Sequence, residues 1–270
     1  MSYLNDWQLA PPSTTLALFA VLYAVGWRRR ASRRRGARTE AALFGLGVVA
    51  LVVALNSPLA TLDETLFWAH MTQHVLLLVV APPLLLLGRP WSTVWRAFPF
   101  SVRRRSARGV LALGGRPRVR VLWHVATAPA TALAVFVGTL AVWHLPAVYD
   151  ATLRSSGVHV FEHVTFLASG LLFWSQLVDS PPVRSRLGYP ARALHATIAM
   201  AAGWLLALVI VTASTPLYEG YAELASRPGG ISALADEQLA AGIMWVPGSI
   251  PFLVAVLLYA DRWLEQEESS

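Results

Sequence analysis

Residues 67–87 read FWAHMTQHVLLLVVAPPLLLL, a stretch with no formally charged residue, two histidines one helical turn apart and a pair of prolines. As a helix rising 1.5 Å per residue it spans about 30 Å, the hydrocarbon thickness of a bilayer. It is read as a membrane span with two imidazoles inside it, and ionisable groups at such depth are costly enough to mark function.

The rest of the chain agrees. Of 270 residues, 56% are hydrophobic and 14% charged, where a soluble domain carries about 25% charge. The pattern predicts an all-α, polytopic transmembrane bundle forming one integral membrane domain over 1–270. Seven spans are expected, at about 13–28, 40–56, 65–87, 121–144, 158–178, 193–213 and 238–260. Pro82 and Pro83 in the third, and Pro247 and Pro251 in the seventh, are expected to kink or break their helices. Neighbouring helices must then satisfy the freed carbonyls. The opening MSYLNDWQLAPP lacks the basic segment and cleavage site of a signal peptide.

Arginine supplies every basic side chain and sets the orientation. Seven lie in RRRASRRRGAR after the first span, nine between Arg89 and Arg120, and three more at Arg184, Arg186 and Arg192. The alternate loops hold none, Arg154 and Arg227. Arginine-rich loops stay cytoplasmic, so the N-terminus is expected outside and the C-terminus, with its acidic tail EQEESS, inside. The net charge of +7 therefore reports topology and contact with the lipid bilayer, not a nucleic-acid partner.

On this topology five of seven histidines fall in one outer layer. His70 and His74 occupy the outer half of span three, with His74 about 13 Å below its outer end. His144 ends span four; His159, Glu162 and His163 begin span five. His70/His74 and His159/His163 are i,i+4 pairs, each on one helix face. Two such pairs on neighbouring helices form a common metal-binding arrangement, one ring nitrogen for the ion and the other for an outer acceptor. His124 and His195, at cytoplasmic span ends, are read as structural.

There is no cysteine, which removes thiolate metal sites, redox pairs and disulfides. Imidazole-rich sites suit copper, zinc, iron or nickel. Met71 and Met244 add thioethers that favour cuprous ion, although packing is the commoner role of such methionines. Asp63, Glu64, Asp150, Asp236 and Glu237 lie at the same level as outer partners or cation attractors, with solvated loop charge the likelier role for Glu64. The loop 216–230, within the outer segment 214–237, is read as a connector rather than a lid.

Three functional classes fit these residues. Metal handling is the first. The string HVFEH at 159–163 has the H-x-x-E-H form of one metallopeptidase class, so a zinc-dependent seven-span membrane hydrolase is the rival. Haem held between opposed histidines, with Gly138 and Gly170 facing the ring, ranks third. No nucleotide-binding or nucleophile-elbow motif stands in a strand–helix context.

AHMTQHVLLLVVAPPLLLLGRP (69–90), WHLPAVYDATLRSSGVHVFEHVTFLASGLLFW (143–174) and DEQLAAGIMWVPGSIPFLVAVLLYADRW (236–263) resemble the caa3-type cytochrome c oxidase assembly factor family, called CtaG. The likeness runs from about 40 to 263. This family is distinct from the cysteine-bearing copper chaperone that shares the CtaG name in other bacteria. The resemblance implies a non-enzymatic factor of the bacterial inner membrane, serving a haem–copper respiratory oxidase with a role in copper supply. Its histidine motifs match His70, His74, His144, His159 and His163; its acidic segment before span seven matches Asp236 and Gln238, followed by Trp245-Val246-Pro247-Gly248. Copper bound at that cluster would come from an extracytoplasmic donor and pass to the oxidase core subunit, with zinc as the alternative ion.

Overall fold

The computed structural model describes residues 11–29 and 36–269. The expected outer N-terminus (1–10) and the arginines within 30–35 lie outside the described residues. Nine principal helices follow in chain order. They are α1 (Pro11–Arg28), α2 (Ala37–Asn56), α3 (Phe67–Leu87), α4 (Phe100–Gly114), α5 (Pro117–Ala126), α6 (Pro129–Trp143), α7 (Ser156–Trp174), α8 (Tyr189–Val211) and α9 (Ala233–Glu268). The described residues contain no strand, only an isolated bridge between Ser180 and Val183.

Among the described residues, four helices are long and apolar enough to cross a membrane: α2 extended to Leu62, α3, α8 and α9. The pair α5–α6 makes up to five. The expected fourth span, 121–144, is therefore not one straight helix. α5 and α6 meet at 56°, because Pro129 has no N–H to continue the ladder and disfavours helical geometry at Ala128. The expected seventh span differs the other way. α9 runs 36 residues through Pro247 and Pro251 without a break, packed along α8 in the most extensive helix pairing of the molecule.

α3 runs from Phe67 to Leu87 without the expected break, and its prolines are met by a local irregularity and a neighbouring donor. Residues 76–80 form a π-helical turn just past His74, the local widening that recurs at functional positions. Neither Pro82 nor Pro83 can donate to the Leu78 carbonyl, and the Trp174 indole of α7 donates to it instead at 3.2 Å. α7 approaches that turn closely at Gly170, where a Cβ would lie 2.7 Å from the Leu78 carbonyl oxygen.

Apolar side chains face outward along α8 (Leu194, Leu205, Val209) and α9 (Val246, Ile250, Leu257), while Asp63, His70, Glu162, Asp236 and Glu237 are buried. This distribution suits a lipid surround. An aromatic centre of Phe136, Phe173, Trp174 and Phe252 fills the middle of the bundle. A second core of Phe67, Met71, Tyr149, Tyr218 and Tyr221 packs beside the histidines.

Candidate metal centre

α3 begins at Phe67 after an extended Leu66 that offers no side-chain cap. The orphan amides of its first turn are met from across the molecule. Asp236, in the first turn of α9, accepts from the backbone N–H of Phe67 at 2.9 Å and of Trp68 at 3.0 Å. A carboxylate at a helix N-terminus also complements the helix dipole. This cap fixes the turn that carries His70.

α7 begins at Ser156, capped by the Ser155 hydroxyl, and presents His159, Glu162 and His163 to α3. His70, His159, Glu162 and His163 each offer one ligand atom, all within 4.8 Å of one another. Glu162 is fully buried and central, with Oε2 3.2 Å from His70 Nε2 and Oε1 3.4 Å from His74 Nε2. The first contact is a hydrogen bond; the second lacks the alignment, leaving both atoms unpartnered. His159 Nε2, His163 Nε2 and His74 Nδ1 are likewise buried without a partner. Each such group costs about 1–3 kcal/mol, and a buried carboxylate without a cation costs more. One ion among these atoms would satisfy several of them together, so the donor set fits a metal.

The surroundings orient the rings. The Tyr221 hydroxyl donates to the Asp63 carbonyl and lies 3.4 Å from His70 Nδ1. The Tyr149 hydroxyl is 3.2 Å from that of Tyr221. Burial holds both phenols well above their usual range, so they remain protonated donors at neutral pH. Burial also raises the Asp63 carboxyl, against the opposing pull of His70. Its Oδ2 stands 3.7 Å from His159 Nε2. A polar cavity of about 450 Å³, lined by Asp63, Glu64, His70, Arg154 and His159 among others, leads to the cluster.

The remaining candidates separate from this group. His144 hydrogen-bonds the Leu140 carbonyl through Nδ1 at 2.8 Å and turns Nε2 toward Met71 Sδ at 3.2 Å. Met244 lines the same space as His144. Asp150 accepts from the Gly220 amide at 3.3 Å. Glu237 accepts from the amides of Leu217 and Tyr218 and thereby pins the loop between α8 and α9. That loop does more than connect: Tyr218 and Tyr221 are buried against the core beside His70. His195 stacks on Phe173 at 5.0 Å. Sequence reasoning missed the three tyrosines and Met200. The only available signal was the three-residue spacing of Tyr218 and Tyr221 in an otherwise polar loop.

The family model for the cytochrome c oxidase caa3 assembly factors matches residues 21–266. Among curated relatives, uncharacterized proteins of Mycobacterium bovis and Mycobacterium tuberculosis are each 26% identical over 93% of this chain and 38% of their own length. One of Mycobacterium leprae is 25% identical over 82% of this chain and 33% of its own. The chain thus spans about a third of the length of the curated relatives it matches. No solved structure matches it.

Proposed function

This chain belongs to the cytochrome c oxidase caa3 assembly factor family, and on that premise we propose that it binds copper as cargo at the His/Glu cluster and delivers it to the oxidase core subunit. His70, His159, Glu162 and His163 hold the ion, with His74 beside them. The observation that carries this reading is the convergence of three imidazoles and a carboxylate within 4.8 Å, most of their donor atoms unpartnered.

In this reading the N-terminus is outside and the cluster lies near the extracytoplasmic face of the bacterial inner membrane. Copper arrives from a donor on that side through the cavity beside Asp63 and Glu64, whose carboxylates attract cations. Glu162 neutralises the incoming charge, and the imidazoles replace its water. With no thiolate in the set, binding stays exchangeable, as delivery requires. Tyr221 and Asp63 hold His70 and His159 in place while the ion is exchanged.

The donor set also suits zinc, and HVFEH beside a polar cavity is what a membrane hydrolase would need. Complementation separates the two. In a bacterium lacking its own copy, the wild-type gene should restore haem–copper oxidase activity, and His159→Ala/His163→Ala should restore less than a tenth of it. Added copper should recover part of the deficit. Equal activity from the double variant would overturn the reading, and rescue by zinc instead of copper would favour the hydrolase.

A further inference from the structure

Besides Met1 the chain has three methionines, Met71, Met200 and Met244. They come from α3, α8 and α9, and all three line one narrow cavity of about 50 Å³ together with His74 and His144. Methionine often fills irregular gaps in a core, so their meeting would not by itself imply a ligand. The imidazole of His144 adds the independent observation. Its Nδ1 donates to the Leu140 carbonyl, which fixes the tautomer and leaves Nε2 as a bare lone pair. That lone pair faces the Met71 thioether at 3.2 Å. Neither atom has a proton to share, and both residues are buried. Two lone-pair donors turned toward each other form an attractive arrangement when a cation joins them.

We propose that His144 and Met71, with Met200 and Met244 completing the wall, form a second, soft-metal site that takes a cuprous ion. The remaining lining, Phe136, Leu140 and Phe252 among it, holds no carboxylate and is apolar apart from the Ser249 hydroxyl and the Trp204 indole. A divalent ion here would carry two uncompensated charges in a low-dielectric space; a monovalent ion carries one. Thioether and imidazole donors favour cuprous copper over harder ions. The volume accommodates an ion or a water, not an organic ligand.

His74 joins this site to the carboxylate cluster. It lines the cavity, its ring centroid is 5.9 Å from that of His144, and its Nε2 is 3.4 Å from Glu162. Both its ring nitrogens are buried and unpartnered. A route therefore runs from an acidic vestibule through a His/Glu cluster to a His/Met chamber among α3, α6, α8 and α9, each stage softer than the last. The direction of travel rests on the delivery reading; the site itself does not.

The test loads the detergent-solubilised chain anaerobically with cuprous ion and reads copper X-ray absorption. Sulfur scattering from bound copper is expected in the wild type. It should vanish in Met71→Leu/Met200→Leu/Met244→Leu, with bound cuprous ion falling by about one per chain. Leucine nearly conserves methionine volume, and unchanged cobalt(II) binding at the His/Glu cluster verifies that the variant folds. Sulfur scattering that persists in the triple variant, or is missing from the wild type, overturns the proposal. Loss of cobalt(II) from His159→Ala/His163→Ala with sulfur scattering intact separates the two sites. Wild type that binds cuprous ion through sulfur yet never binds cobalt(II) or copper at the cluster would sink the delivery reading alone.

Discussion

The region around Glu162 and the pair α4–α5 both concentrate ionisable residues and treat them in opposite ways. At the first, histidines, carboxylates and tyrosines are buried and their contacts come from distant parts of the chain: Asp236 reaches α3 across 169 residues and Tyr221 reaches Asp63 across 158. In the second, Arg104, Arg105 and Arg108 project from α4 while Arg103 lies half-buried over the Phe100 ring, and no residue of α4 or α5 is fully buried. Charge at the arginine-rich pair orients and attracts. Around Glu162 it is held at fixed distances, which is what binding an ion requires. The density of ionisable groups does not mark a site; the convergence of several buried donors on one point does.

The contrast can be broken by substitution at either place. Asp236→Ala removes two backbone hydrogen bonds from the first turn of α3. A loss of about 2 kcal/mol is expected, read as a lowered unfolding midpoint in detergent together with weaker metal retention, because the same turn carries His70. An unchanged midpoint would mean that the cap is not needed. The smallest effect belongs to Arg103→Gln/Arg104→Gln/Arg105→Gln, which should change stability by less than about 0.5 kcal/mol. Its binding to anionic vesicles should nonetheless become weaker and less salt-sensitive. If this triple variant unfolded as readily as Asp236→Ala, the distinction between the two regions would fail.

Much of this was legible in the sequence, and the parts that were not have physical reasons. Hydropathy located α2, α3 and α8 to within about four residues, because a long apolar run has one common solution in lipid, whereas α9 starts five residues before the expected span and ends eight after it. The same signal ran straight through Ala126–Pro129, since hydropathy does not register a bend. It also overstated Pro247 and Pro251, which α9 accommodates while packed on α8. The i,i+4 histidine pairs and Glu162 were visible because helical geometry is local. The cap from Asp236, the tyrosine contacts and the turning of His144 toward Met71 were not, because they join residues 70 or more positions apart. Such pairings are set by tertiary packing and leave no local pattern.

On the proposed function, the buried donors around Glu162 hold a metal ion. The most direct measurement is metal content of the purified chain after copper loading and dialysis, with Glu162→Gln and His70→Ala/His74→Ala alongside. Copper should be retained near one or two ions per wild-type chain. Both variants should lose the cluster's ion while their helix content stays unchanged by circular dichroism. Wild type that dialyses free of copper, or variants that retain as much as wild type, would contradict it.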